Sequence, residues 1–446
     1  MTDTKHIVYR LCSQTVLLLV WYAGAALLAA VKFLGHDALA SALPYSQVSG
    51  LANVLLHLTL LTGLIAGGLY MLHLETATET GTNRDLVWLW RAWTVFLVLA
   101  LLAGCLGLLE GRAGLELPFL LDVVEIILVA AWGLVIIRRL NFATLLNTPA
   151  QAAQGTTQIA WNGFLFVWAA GWALCLAGLI IALLPTNDVL TERAISVLAL
   201  GLRDTLGLGG MGLALAFWLL TRVSNSATAW IEASLLRVGG VFLMAGALTS
   251  ASQVLHLSSS RAVQAAGISA ALLAVFVSAW LVAHSYRALS NRAPVHTLAA
   301  HWYILGLCLV SVAVGVLGAI LSLPVVQVVA QGTQLTVLQH HIYAMGLLAW
   351  VLGFINQAVA EMRGQNFRIT GLVPFWCVAL GIGGASLAFF AAGVVQVYLE
   401  RLMSIGYLET QAALVPLYAL WIGGLLLFAP GVAFYALGFR ARRADA

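Results

Sequence analysis

Twelve apolar runs, most of them about 20 residues or longer, follow one another along the chain with only short polar breaks between them. A run of that length crosses a hydrocarbon layer of about 30 Å when it is helical. Membrane-spanning strands would be shorter and would alternate apolar with polar residues, a pattern absent here. The runs lie near 11–31, 50–73, 87–109, 117–137, 159–184, 194–221, 230–255, 263–286, 299–323, 335–360, 372–398 and 412–438. Composition agrees, with 62% hydrophobic and 9% charged residues over 446 positions. A water-soluble domain has too little polar surface at that ratio to cover its core. The expected fold is an all-α polytopic membrane protein of about twelve helices, a single transmembrane domain over 1–446. The first apolar run follows a short MTDTKHIVYR segment with no small-residue cleavage motif, so it reads as a span and not as a removed leader.

Basic residues divide unevenly between the two sets of connections. Fifteen, from Lys5 and Arg10 to Arg442 and Arg443, fall on one side, and five (Lys32, Arg112, Arg193, Arg261, Arg401) on the other, with Arg203 just inside the sixth span. The bias predicts that both termini face the cytoplasm, in the inner membrane of a cell. No basic cluster of the kind that holds nucleic acid is present. The five cysteines sit in apolar runs without a Cys-x-x-Cys pair and read as small buried hydrophobes. Trp88, Trp90, Trp93, Trp302 and Tyr303, near span ends, read as interfacial anchors. The second, sixth and tenth spans resemble one another, each polar at its outer end and Gly-rich beyond. Their spacing of four spans suggests three quasi-equivalent four-helix units.

Ionisable groups inside a span are functional candidates by default. His57 lies about two turns into the second span, and His340 and His341 one to two turns into the tenth, all from the outer side. Two helices presenting imidazoles at one depth suit axial ligation of a haem standing between them. Gly63, Gly67, Gly68 and Gly346 would leave room for the ring. Adjacent helical residues diverge by about 100°, so His340 and His341 cannot both face one iron, and either remains open. The alternative is that each imidazole bonds a carbonyl or a neighbour. Asp122 and Glu125 share a face of the fourth span and could pass protons, or could be a boundary pair reached by interfacial water. His73, His284, His296 and His301 fall at cytoplasmic helix ends as ordinary interfacial residues.

The stretch HLTLLTGLIAGGLYMLHLETATE from His57 and the stretch HHIYAMGLLAWVLGF from His340 resemble the second and tenth helices of the catalytic subunit of haem–copper oxidases, nearest the nitric oxide reductase branch. The segment LLTRVSNSATAWIEASLLRVGGVFLMAGALTSASQVLHL is similar to that branch where its sixth helix meets its seventh. The family's copper or non-haem iron is held by a histidine on the sixth helix and a His-His pair ending the seventh. Here the sixth helix has none, the pair's place reads Ser252-Gln253, and His256 follows. The tenth helix reads Gln339-His340-His341 where the family has His-x-His. The resemblance with these losses implies a subunit that keeps one low-spin bis-histidine haem b and has no oxygen- or NO-reducing centre. His57 and one of His340 and His341 would be the iron ligands. Arg203 would pair with a haem propionate, or else with Asp204 or Glu192. Such a subunit would move electrons inside a respiratory complex, embedded in membrane lipid and contacting a cytochrome or other redox protein on its outer side. The competing expectations are a cofactor-free structural or assembly subunit, a haem-containing nitric-oxide-response protein, and a transporter, which would want a polar midplane cavity.

Overall fold

A computed structural model describes residues 3–35, 44–75, 84–110, 116–139, 158–185, 189–224, 228–255, 261–290, 297–363 and 371–441. Among these residues all regular structure is helical. In chain order the long helices are α1 (Asp3–Phe33), α2 (Tyr45–Glu75), α3 (Arg84–Cys105), α4 (Phe119–Arg139) and α5 (Gln158–Ala182). The sixth, α6, runs Val189–Leu200, widens into a π-helical stretch at Gly201–Leu208, and continues as Gly209–Ser224. Then come α7 (Thr228–Leu255), α8 (Arg261–Ser290) and α9, which starts as Thr297–Val310 and passes through a second π stretch, Ser311–Leu317, to Gly318–Ser322. A short helix Pro324–Ala330 leads to α10 (Gln334–Met362). The chain finishes with α11 (Leu372–Gln396, then π-helical at Val397–Leu402) and α12 (Tyr407–Ala441).

Eleven of these helices are long and apolar enough to cross a membrane, and α7, with 28 residues, occupies the place of the seventh expected span. The protein is an all-α polytopic membrane protein. Successive helices pack side by side, and α12 closes the circle against α1. Inside it, α2, α6 and α10 touch one another. Their apolar windows are 89%, 94% and 89% enclosed, against 28–50% for the other candidate spans. The three spans that look alike in sequence are thus the inner three.

Small residues let these helices close up, because packing and not hydrophobic exclusion holds helices together in lipid. A Cβ on Gly63 would meet Val351 of α10, one on Gly67 would meet Leu215 of α6, and one on Gly346 would meet Val310 of α9. Tyr70, Trp218 and Phe354, one from each inner helix, form a knot of edge-on rings with centroids 5.6–5.9 Å apart. Beside it Glu361 accepts from Tyr70 Oη at 2.7 Å and from Gln357 Nε2 at 2.8 Å, with Arg222 Nε at 3.4 Å. This end of the bundle carries the chain termini.

Two expectations about single residue types change. Trp93, Trp302 and Tyr303 are completely buried inside the bundle and do not face lipid. Trp93 donates to Thr62, and Tyr303 shares a 2.6 Å hydrogen bond with Ser285. Trp88 alone of the five is largely exposed. Among the cysteines Cys12 and Cys175 are buried, whereas Cys105 and Cys308 face outward.

Candidate functional site

At the end of the bundle away from the termini, α1, α2, α4, α6, α10, α11 and α12 enclose a cavity of about 770 Å³, within the range of cofactor and small-molecule sites. His57, His340, His341, Arg203, Asp122 and Glu125 all line it. The residues singled out from sequence therefore meet in one place.

His57 sits at the polar end of the cavity. Its Nε2 is 2.9 Å from Glu125 Oε1, and its Nδ1 is 3.8 Å from Asp204 Oδ1. An ionised carboxylate only accepts, so with Glu125 charged Nε2 carries the proton and donates it. Glu125 and Asp122, one turn apart on α4, are 4% and 1% exposed. They are not the water-reached boundary pair that remained open in the sequence: helix α4 turns both carboxylates inward. Asp204 belongs to the π stretch of α6, where its neighbour Arg203 grips it with both prongs, Nε to Oδ1 at 2.7 Å and Nη2 to Oδ2 at 2.9 Å. The widened turn holds this adjacent pair on the cavity wall, a placement in keeping with π bulges at functional sites. Glu116, just ahead of α4, accepts from Asn53 Nδ2 at 3.2 Å, and burial raises its carboxyl above the usual range.

Two tight approaches keep that π stretch in position. A Cβ on Gly178 of α5 would stand 2.6 Å from the Arg203 backbone nitrogen. One on Gly207 would stand 2.6 Å from Cα of Cys175. From the other side Tyr343 of α10 donates its hydroxyl to the Thr205 carbonyl at 2.8 Å.

The tenth helix separates its two histidines. His340 is exposed, with Nδ1 2.8 Å from the Thr336 carbonyl one turn back. His341 turns inward, stands edge-on to Phe389 with centroids 5.4 Å apart, and leaves a buried Nε2 with no hydrogen-bond partner. Buried polar nitrogens are nearly always satisfied, so this Nε2 is available to a ligand or a hydrogen-bond acceptor. Beyond His341 the wall is aromatic, with Phe389, Trp421, Phe33 and Tyr418 in successive ring contact.

Other expectations fall elsewhere. Gly63, Gly67, Gly68 and Gly346 do not line the cavity: their missing side chains are filled by Val351, Leu215, Trp168 and Val310 of neighbouring helices. His284 stacks on Trp230 and His301 meets Phe375, both far from the cavity lining. His256 and His296 lie outside the described residues, as do the side chains of Ser252 and Gln253. Among the described residues no group of three or more His, Cys, Asp or Glu is arranged to hold a metal ion. Sequence reading named Asp204 only as an alternative partner of Arg203, which the structure shows it to be, and passed over Glu116 and the aromatic wall. The one available signal was an Arg-Asp pair inside the otherwise apolar, Gly-rich LALGLRDTLGLGG. No protein-family model matches the chain.

Proposed function

We propose that the cavity holds one low-spin haem b between His57 and His341, and that the protein is an electron-transfer subunit of a membrane respiratory complex. The observation that carries this reading is that His57 and His341, on separate helices, line one cofactor-sized cavity, with Nε2 of His341 buried and without a hydrogen-bond partner. The residues present suit such a group. Two imidazoles on separate helices can take its two faces, and the rings of Phe389, Trp421 and Tyr22 suit an apolar macrocycle. Bound there, the iron would supply one-electron chemistry between its ferric and ferrous forms.

The chain's own residues have separate tasks. His341 would hold the iron through its unpartnered Nε2. His57 binds once its ring turns so that one nitrogen keeps a carboxylate, Glu125 or Asp204, and the other faces the cavity. Ligating histidines usually donate their second N–H to such a group, which fixes the tautomer and the ring plane. Arg203, already forked onto Asp204, acts first by fixing that carboxylate beside His57. The aromatic wall keeps water from the apolar part of the cavity. Cytoplasmic termini and an inner-membrane location follow from the charge bias of the connections and belong to the same reading, as does a redox partner docked at the cavity end.

The visible spectrum of the purified, dithionite-reduced protein tests it. A b-type spectrum lost in His57→Ala is expected, and a colourless preparation would overturn the reading. One observation favours a second reading, a cofactor-free subunit: His57 already has a 2.9 Å carboxylate partner, so its ring has a structural use without iron. That reading expects His57→Ala to lose stability and no colour at any stage.

A further inference from the structure

We infer that the α1–α3 edge of the bundle, at the end carrying the termini, is a binding site for the phosphate headgroup of an anionic phospholipid. Arg10 on α1 lies over the indole of Trp90 on α3, its guanidinium carbon 4.3 Å from the ring centroid. Arg91, the next residue of α3, lies 5.4 Å from the ring of Trp88. Among the described residues neither guanidinium has a carboxylate partner. Among the described residues each is therefore a positive fork beside an aromatic ring with no carboxylate on its N–H groups, which are left to bind. Planar forks of this kind suit the paired oxygens of a phosphate.

The two arginines stand at one level. Each is the eighth residue of a helix that starts at the same end, roughly 10 Å in. Four residues beyond Arg10 and three beyond Arg91, Gln14 donates to Thr94 at 2.7 Å and fixes this register. Above the charged pair the outer face of α3 is apolar. Val95, Val98, Leu99 and Leu102 recur at helical spacing on the face of Trp88 and Arg91, and all are exposed. From Arg91 to Leu102 this strip rises roughly 16 Å, about half the hydrocarbon thickness and so the reach of one acyl chain. A head site of two free guanidiniums continued by a leaflet-deep apolar strip matches a lipid better than a free anion. Trp88, 67% exposed, adds the indole that favours the headgroup level.

The test uses the full-length protein in mild detergent micelles containing equal amounts of phosphatidylglycerol and phosphatidylcholine, with bound lipid counted by native mass spectrometry. The wild type should retain phosphatidylglycerol selectively. In Arg10→Gln/Arg91→Gln its retention should fall roughly tenfold or more, since each basic group near an anionic headgroup is worth about fivefold. Arg440→Gln, an exposed arginine on another helix, should leave retention unchanged, and millimolar inorganic phosphate should not displace the lipid. Should the double variant fail to elute as wild type does, Arg91→Gln alone, at an exposed position, should give a fall of about fivefold. Equal retention in the arginine variants, an equal loss in Arg440→Gln, or displacement by inorganic phosphate would each overturn the site. None of these readouts depends on a cofactor in the cavity.

Discussion

His340 and His341 are neighbours in the chain and differ in burial, because one helical step turns the side chain by about 100°. Both line the cavity, but that step leaves His340 exposed with its Nδ1 tied to Thr336 and turns His341 against Phe389 with a buried, unbonded Nε2. His341→Ala should therefore abolish the reduced b-type spectrum while His340→Ala leaves it intact; the reverse outcome in absorption spectra of the two variants would exchange the ligand. At the mouth, burial raises the Glu116 carboxyl above its ordinary range, so the folded protein holds that proton more tightly than the unfolded chain. Below the ordinary carboxylate value both states are protonated and the group is neutral in effect. As pH rises from there through the raised folded value, the unfolded chain loses its proton first and Glu116 becomes a growing liability. Glu116→Gln should accordingly match the wild type in thermal midpoint at about pH 4 and exceed it near pH 7. A midpoint difference that is constant with pH would contradict the assignment.

Among the elements, the π stretch of α6 does most to shape the site. It carries Arg203 and Asp204 on the cavity wall and is clasped between α5, through Gly178 and Gly207, and α10, through Tyr343. Because the atom facing Gly178 is backbone, a methyl group there cannot be absorbed by a rotamer change. Gly178→Ala should destabilise the protein by about 1–3 kcal/mol, the range for overpacked interiors. It should also disturb the His57 environment through Asp204. Thermal unfolding in one detergent, with the visible spectrum followed alongside, measures both. Gly24→Ala, where a Cβ would meet nothing within 4 Å, serves as the neutral comparison.

At the scale of the molecule, the inner trio α2, α6 and α10 holds the helices that carry His57 and His341 at a set separation. The ring knot of Tyr70, Trp218 and Phe354 joins all three. Truncating its centre leaves a void that rigid helices cannot close, so Trp218→Ala should lose about 3–5 kcal/mol. Trp21→Ala, at a position 48% exposed on the outside, should change stability by less than about 1 kcal/mol. Comparable losses in the two variants would show that the inner trio is not the organising contact. Reporter fusions at the two ends of the chain should both read cytoplasmic, as the fifteen-to-five division of basic residues requires.

Fold class, span length and the look-alike inner helices were legible in the sequence, with about twelve spans expected against eleven candidate spans among the described residues. A bilayer reads length and hydropathy locally and needs no tertiary context. His57 and the pair His340–His341 stood out for the same reason: an imidazole in an apolar run is conspicuous wherever it points. What it touches was not legible. His57 meets Glu125, 68 positions away, and Asp204 on a third helix. Those encounters depend on the rotation of each helix about its own axis, and in α6 on a π stretch that shifts the phase of every residue after it. The glycines show the same limit, since a missing side chain is consistent with space for a ring or with a neighbour's side chain. Only the packing decided for Val351, Leu215, Trp168 and Val310. Sequence alone thus determined what crosses the membrane and which polar groups it carries in with it. The tertiary structure decided which of those groups face each other, because rotation and register are properties of helix pairs and not of any one helix.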